Sequence, residues 1–125
     1  MISGRTTFLG LALATGLTAY APAAELVMVE QNGCHWCERW DAEIAPIYPK
    51  TDEGQRAPLR RVDLRDLPDD ILFRSPPVFT PTFVLVEAGQ ELGRLEGYNG
   101  DEFFWFLLTQ LLETHANSLP SEVTQ

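Results

Sequence analysis

The feature that most constrains this chain is a pair of cysteines, Cys34 and Cys37, placed where an apolar run gives way to a helical pattern. The run from Leu26 to Val29 shows no alternation, which predicts a strand buried on both faces. After Cys34, apolar residues recur three or four positions apart and predict a helix with one apolar face. That face consists of Trp36, Trp40, Ile44 and Ile47. We therefore expect the two thiols at the junction of a buried strand and the first turn of a helix.

Cys34 would then lie at the amino terminus of that helix, where free N–H groups and the helix dipole favour an anion. A thiolate is such an anion, so the pKa of Cys34 should fall below that of a free thiol. Cys37 follows one turn later, where it can close a disulfide with Cys34 or resolve a mixed disulfide with a client protein. This spacing predicts a catalytic dithiol.

Other roles for the cysteine pair can be compared with this one. Covalent haem attachment needs a histidine directly after the second cysteine, and Glu38 stands there. A zinc site usually needs four ligands, and the remaining candidates of that kind are His35 and the remote His115. We expect no metal and no cofactor other than the Cys34–Cys37 disulfide. A purely structural disulfide stays open, although its loop is too short for a large entropic gain.

The two residues between the cysteines each have two interpretations. A protonated His35 would favour the Cys34 thiolate, or His35 is an exposed residue with little influence. Trp36 forms an apolar lip for a client peptide, or it packs against the domain.

A second candidate binding element is Thr80-Pro81, which precedes the clearest strand of the chain at 82–87. Proline has no N–H to donate, so it belongs at the start of a strand. A cis bond before Pro81 would expose the Thr80 backbone beside the dithiol. Since only about 5–6% of such bonds are cis, the residues alone leave the isomer open.

The remaining pattern predicts a strand at 59–64, a short helix at 67–73, and a hairpin turn at 88–90 leading into a strand at 91–96. A polar turn is expected at 51–55 and a last helix at 101–115. A βαβ unit followed by a hairpin and a helix gives an α/β fold. We expect a four-stranded mixed sheet flanked by helices on both faces.

The first 23 residues differ in composition from the rest. Arg5 is followed by an apolar stretch to about Ala19 and by small residues at 21–23, and no acidic residue precedes Glu25. This order predicts a cleavable secretory signal peptide at 1–23, followed by a domain at 24–117 and a flexible tail at 118–125. The apolar stretch is shorter than the roughly 20 residues that span a bilayer, and an uncleaved anchor is the alternative. Export would place the cysteines in an oxidising compartment.

The chain has 9 basic and 18 acidic residues and a formal net charge of −9. Binding to nucleic acid needs clustered Lys and Arg. Arg60-Arg61 is the only basic pair and lies in a predicted strand, so we expect no nucleic-acid partner.

Taken together, the strand, the Cys34-x-x-Cys37 helix, the second strand, Thr80-Pro81 before a hairpin and the last helix resemble the thioredoxin superfamily. The resemblance covers roughly residues 25–115. It implies that Cys34 is the attacking thiol, Cys37 the resolving thiol and Pro81 a cis-proline facing them. It also implies that the Thr80 backbone contacts a bound client.

The string from Gly33 to Trp40, the Gly97-Tyr98 turn and the signal look most like the small periplasmic thioredoxins of bacterial sulfur-oxidation (Sox) gene clusters. This resemblance implies a periplasmic thiol–disulfide oxidoreductase that acts as a reductant. Its client would be the sulfur carrier protein of the thiosulfate-oxidising Sox system, and its electrons would come from a membrane thiol transporter. The alternatives are a general periplasmic or cytochrome c maturation reductase, or a non-catalytic thioredoxin-like binding module.

The chain departs from cytosolic thioredoxin at Met28, where that group has a buried aspartate six residues before the first cysteine. The usual proton acceptor for the resolving thiol is therefore missing. Either Glu30 or Glu38 replaces it through water, or each is a solvent-facing carboxylate.

Overall fold

A computed structural model describes residues 4, 10–16 and 24–115. The predicted signal peptide at 1–23 lies largely outside these residues, and the predicted tail at 118–125 lies wholly outside them. Both therefore stay predictions. Within the described part of the chain, no helix has the length and apolar character needed to cross a bilayer.

The four strands are β1 (Ala24–Glu30), β2 (Leu59–Asp63), β3 (Thr82–Glu87) and β4 (Gln90–Glu96). They form one sheet in the order β2-β1-β3-β4. β1 runs parallel to β2 and antiparallel to β3, which pairs antiparallel with β4. The expected four-stranded mixed sheet is confirmed.

The hairpin between β3 and β4 turns through Ala88 and Gly89, whose φ angles are 49° and 76°. Two positive φ angles define a two-residue turn whose twist matches that of the flanking strands. Gly89 is also close to a neighbouring backbone, because a Cβ there would lie 2.7 Å from the Asp70 carbonyl oxygen. Glycine at this position therefore serves both the turn and the packing.

The helices are α1 (His35–Glu43), α2 (Asp52–Arg56) and α3 (Asp101–Thr114), and a 3-10 turn spans Tyr48–Lys50. α2 replaces the polar turn predicted at 51–55, so that prediction is wrong. The Thr51 hydroxyl accepts the Gly54 N–H at 3.0 Å and caps the helix. Asp52 in the first turn adds a favourable interaction with the helix dipole.

One face of the sheet holds the larger core, which contains side chains from α1 and α3. Trp40 is fully buried there and contacts Phe83 of β3 and Phe104 of α3 at ring-centroid distances of 5.2 and 5.8 Å. Ile44 is also fully buried, but Ile47 is 47% exposed because α1 ends at Glu43. Trp36, in the first turn, is likewise 46% exposed, so the predicted apolar face of α1 is wrong at both of these positions.

The opposite face of the sheet is covered by an irregular segment, and the helix predicted at 67–73 is absent. Leu72 instead donates its N–H to the Gly89 carbonyl at 2.7 Å and accepts the Glu91 N–H at 3.2 Å. These bonds to the hairpin compete with the local bonds that a helix needs, while Ile71 packs on the sheet. The described helices therefore pack on one face of the sheet. On the opposite face, this irregular segment takes the place of the expected helix.

Candidate active site

The two cysteines form a disulfide at the junction of β1 and α1. The S–S distance is 2.07 Å and the Cα atoms are 5.2 Å apart. Cys34 is 9% exposed and Cys37 only 3% exposed. The predicted position of the pair, after a buried strand and at the start of a helix, is confirmed.

Cys34 is the N-cap of α1. Its Sγ accepts the Cys37 N–H at 3.1 Å, and its carbonyl oxygen accepts the Glu38 N–H at 3.1 Å. The sulfur therefore occupies the place where a serine or aspartate oxygen often caps a helix. A thiolate at this atom would gain from the N–H group and from the helix dipole. The cap supports the expectation that the pKa of Cys34 lies below that of a free thiol.

His35 and Trp36 both lie at the surface of the first turn of α1. Their rings meet edge to face at a centroid distance of 5.2 Å, and the Arg39 guanidinium lies 5.6 Å from the Trp36 ring. Trp36 is 46% exposed, so its ring is only partly covered by the domain. Its role as a lip for a client peptide stays a prediction.

The Thr80–Pro81 peptide bond is cis, as the family resemblance implied. The Thr80 hydroxyl accepts a hydrogen bond from the Gln31 side chain at 2.9 Å, and the Pro81 carbonyl accepts the Gly97 N–H at 2.8 Å. Gln31 belongs to the loop that leads into Cys34. The proline loop is thus held by the loop that carries the disulfide and by the turn before α3.

An open cleft of about 360 Å³ lies beside the disulfide. Both cysteines line it, together with residues of the β1–α1 loop, α1 and β2. Arg61 is the one cation among its described lining residues, and four of the others are carboxylates. The lining residues are Glu30, Gln31, Asn32, Gly33, Cys34, Cys37, Glu38, Asp41, Arg61, Val62 and Asp63.

The guanidinium of Arg61 is held by carboxylates from two different elements. It donates to Glu30 of β1 and to Asp41 of α1, each at 2.7 Å. It also lies 5.7 Å from the centroid of the Trp40 ring and 3.7 Å from the Met28 sulfur. Burial opposes its charge, but the bonds to Asp41 and Glu30 raise the pKa of Arg61 above its ordinary value.

Sequence reasoning missed Arg61 as a site residue. In the parallel ladder between β1 and β2, Arg61 is the register partner of Met28. The sequence shows the alternation along β2, but it does not show how β2 aligns with β1, and this alignment is what brings Arg61 next to Met28. Met28 is fully buried, while Glu30 is ion-paired to Arg61 rather than simply solvent-facing. Glu38 is exposed, as one of its two interpretations required.

A second polar group links α1 to the turn before α3. The Tyr98 hydroxyl donates to Glu43 at 2.5 Å, and Arg39 donates to the same carboxylate at 2.7 Å. The bond from Tyr98, together with that from Arg39, lowers the pKa of Glu43 below its usual value. Burial and the bond to Glu43 raise the pKa of Tyr98. The end of α1 is thereby fixed to the turn that contacts Pro81.

This arrangement can interconvert a disulfide and a dithiol with the transfer of two electrons and two protons. No group of three or more His, Cys, Asp or Glu side chains within 24–115 is arranged to hold a metal ion.

Comparisons with known proteins agree with this geometry. One solved structure that the chain resembles is the periplasmic thioredoxin SoxS from Paracoccus pantotrophus in its reduced form. The two are 54% identical over 72% of this chain and 96% of that one, with a TM-score of 0.70. No family model and no curated protein matches the chain.

A more distant match is thioredoxin-2, described as a component of the malaria parasite protein secretion machinery. It is 17% identical over 85% of this chain and 99% of that one, with a TM-score of 0.51. At this identity the likeness concerns the fold alone.

Proposed function

This chain belongs to the thioredoxin superfamily and is a thiol–disulfide oxidoreductase, and on that basis we propose that it reduces disulfides of protein clients in the periplasm. The observation that carries the proposal is the Cys34–Cys37 disulfide, with Cys34 as the sulfur cap of α1. The periplasmic location is supported by the predicted signal peptide at 1–23 and by the location named for the SoxS relative.

In the proposed reaction, the Cys34 thiolate attacks a client disulfide and forms a mixed disulfide, and one client thiolate leaves. Cys37 then attacks Cys34, so the Cys34–Cys37 bond forms and the second client thiolate leaves. The client gains two electrons and the enzyme dithiol is oxidised. The greater exposure of Cys34 and its position as N-cap support this order of attack.

The client-binding surface in this proposal surrounds the disulfide. The exposed residues His35 and Trp36 follow Cys34 in the first turn of α1. Thr80, which precedes Pro81, is hydrogen-bonded to Gln31 in the loop that leads into Cys34. Phe79 is 60% exposed and directly precedes Thr80. These residues would bind the extended backbone and apolar side chains of a client.

The specific client that we propose is the sulfur carrier protein of the thiosulfate-oxidising Sox system, whose cysteine must stay reduced to accept sulfur. Support comes from the resemblance of the segment from Gly33 to Trp40 and from the SoxS match. Because the periplasm is oxidising, the enzyme would be recharged by a membrane thiol transporter.

Single cysteine variants test the mechanism. Cys34→Ser should abolish reduction of a model protein disulfide, whereas Cys37→Ser should complete the first attack and accumulate mixed disulfides. Non-reducing gels and turnover with dithiothreitol as electron donor measure both effects. Unimpaired turnover by both variants would show that the disulfide is only structural.

The Cys37→Ser variant also identifies the client when it is expressed in periplasm and the trapped complexes are analysed by mass spectrometry. The double variant Cys34→Ser/Cys37→Ser is the control for non-covalent capture. Recovery of the Sox sulfur carrier supports the proposed client. Recovery of apocytochrome or of many unrelated proteins, without the carrier, contradicts it and favours a cytochrome c maturation or general reductase.

A further inference from the structure

Trp36 lies between the two cysteines, and its half-exposed ring has a charged neighbour. The Arg39 guanidinium lies over the ring, 5.6 Å from its centroid, and His35 meets the ring edge to face at 5.2 Å. A guanidinium is attracted to an indole face and stacks on it. Because His35 is itself exposed, Arg39 is the contact that can fix the ring. The orientation of Trp36 therefore depends on how firmly Arg39 is held.

Arg39 is held through a residue of another element. Its Nε donates to Glu43 Oε1 at 2.7 Å, one helical turn further along α1. An exposed ion pair of this kind orders its side chains only weakly by itself. The Tyr98 hydroxyl, however, donates to the other oxygen of the same carboxylate at 2.5 Å, and Tyr98 is 3% exposed and packs against Phe104. A buried residue thus fixes the carboxylate, which in turn fixes the guanidinium.

The turn that carries Tyr98 also holds the proline loop. The N–H of Gly97, the preceding residue, donates to the Pro81 carbonyl at 2.8 Å. One turn therefore sets the positions of both the Trp36 ring and the loop that contains Pro81. Surfaces that are fixed before binding lose less conformational entropy when a partner binds. A client segment would meet a ring that is already in place.

We propose that Arg39 is a positioning residue, which holds the Trp36 ring beside the disulfide so that the ring binds an apolar side chain next to the client cysteine. Glu43 and Tyr98 hold Arg39 in place. This inference rests on the proposed function, because it names the class of substrate that the dithiol reduces. That class is a disulfide-bonded peptide segment with an apolar residue beside the cysteine, since an indole face offers a large apolar surface.

The probes are two disulfide-bridged peptides with capped, uncharged ends, which differ only in having leucine or serine beside each cysteine. The reduced protein is mixed with each peptide below saturation, and its oxidation is followed by acid quenching and chromatography. Changes in the reactivity of Cys34 act equally on both peptides, so they cancel in the ratio of the two rates. Partial burial of a leucine side chain should make the wild-type ratio about ten in favour of leucine.

Arg39→Gln should lower this ratio about fivefold, because the freed ring must then be ordered during binding. Glu43→Gln and Tyr98→Phe each break one link of the chain that holds the guanidinium, so both should lower the ratio as well. The first substitution removes a positive charge, the second a negative charge and the third none. An effect of charge alone would have opposite signs in Arg39→Gln and Glu43→Gln. Arg39→Lys keeps a cation near the ring and should recover part of the ratio.

Fluorine NMR reports the ring itself. The chain has three tryptophans, so labelling with fluorotryptophan gives three resonances, and Trp36→Phe assigns one of them. Arg39→Gln should shift the Trp36 resonance and leave that of the buried Trp40 in place. Tyr98→Phe should shift the Trp36 resonance in the same direction, although its change lies at the far end of the chain of contacts.

Arg60→Gln is the matched control, because it makes the same change of charge at another ion-paired arginine. The Arg60 side chain is 33% exposed against 45% for Arg39, and it pairs with Glu25 and Asp70. It lines a cleft that contains neither cysteine. This substitution should change neither the ratio nor the Trp36 resonance.

Three results would each overturn the role of Arg39: an unchanged ratio in Arg39→Gln, changes of opposite sign in Arg39→Gln and Glu43→Gln, or an unshifted Trp36 resonance in Arg39→Gln. A wild-type ratio of one would overturn the binding of an apolar side chain. If Tyr98→Phe does not fold, Glu43→Gln still decides the sign, since that side chain is 34% exposed. A wild-type protein that is oxidised by neither peptide would instead contradict the proposed function.

Discussion

Cys34 does two things at the scale of the single residue, because its sulfur is both half of the disulfide and the cap of α1. Reduction therefore changes the charge of the group that caps the helix. A thiolate is a better acceptor than a disulfide sulfur for the Cys37 N–H. The first turn of α1 thus couples the redox state of the protein to its local hydrogen bonding.

Gly54 shows how a single missing side chain allows a close backbone contact. A Cβ at this position would lie 1.9 Å from the Tyr48 carbonyl oxygen. Tyr48 cannot move easily, because it is fully buried and its hydroxyl donates to Ala57 at 2.6 Å. Helix propensity alone would make alanine better than glycine in α2 by about 1 kcal/mol. A clash with a fixed backbone costs about 1–3 kcal/mol or more.

We therefore expect Gly54→Ala to lower the free energy of unfolding by about 2 kcal/mol, since the clash outweighs the gain in propensity. Urea denaturation followed by circular dichroism measures the change. Gln55→Ala, at an exposed position of the same helix, is the control and should be neutral or slightly stabilising. A stabilised Gly54→Ala variant would show that α2 can move away from Tyr48.

At the scale of elements, one ion pair fixes the segment before Pro81 to the β3–β4 hairpin. The Glu91 side chain is almost fully buried and receives two hydrogen bonds from Arg94, at 2.5 and 2.8 Å. It also accepts the Arg74 N–H at 2.6 Å, and Arg94 donates to the Ser75 carbonyl at 2.6 Å. The hairpin thereby positions the chain that leads to the proline loop.

Glu91→Gln should lower the free energy of unfolding by about 2–3 kcal/mol at pH 7, because it removes a charge from a buried, charge-assisted network. Burial opposes ionisation of Glu91, but the bonds from Arg94 and Arg74 hold its pKa below the usual 4.5. A lowered folded pKa contributes stability above the unfolded pKa, and this contribution is lost as the pH falls. The stability difference between wild type and variant should therefore shrink below about pH 4.5.

Guanidinium denaturation between pH 3 and pH 8 measures this difference. Glu96→Gln is the matched control on the same strand, because its carboxylate is half-exposed and lies 3.8 Å from Arg94. Its effect should stay under about 1 kcal/mol at every pH. A constant difference between wild type and Glu91→Gln would contradict a role for the charge of Glu91.

At the scale of the whole molecule, folding and redox chemistry are linked through a thermodynamic cycle. A protein that acts as a reductant has a low reduction potential, so its fold favours the disulfide over the dithiol. Each 30 mV by which folding lowers the potential corresponds to about 1.4 kcal/mol of extra stability in the oxidised form. The buried Cys37, which disfavours a thiolate in the fold, acts in the same direction.

The oxidised protein should therefore unfold at higher urea concentration than the reduced protein. Paired denaturation curves with and without dithiothreitol measure the gap, and the Cys34→Ser/Cys37→Ser variant should not respond to the reductant. A reduced form that is more stable than the oxidised form would instead indicate an oxidant, as in proteins whose dithiol is stabilised by folding.

The sequence by itself determined the chemistry and most of the sheet. The spacing of Cys34 and Cys37 sets two thiols one helical turn apart, and the apolar run at 26–29 places a buried strand directly before them. Residues 82–87, rich in branched and aromatic side chains, form β3 within the predicted bounds. These features are local, since period and composition act within one segment of chain.

Only the tertiary structure decided the surroundings of the dithiol. The strand register placed Arg61 beside Met28, and a turn of α1 brought Asp41 to the same guanidinium. The exposure of Trp36 and the irregular path of 67–73 likewise depend on contacts with segments far along the chain. Contacts of this kind carry no local period, because they arise only when separate strands and loops meet in the folded molecule.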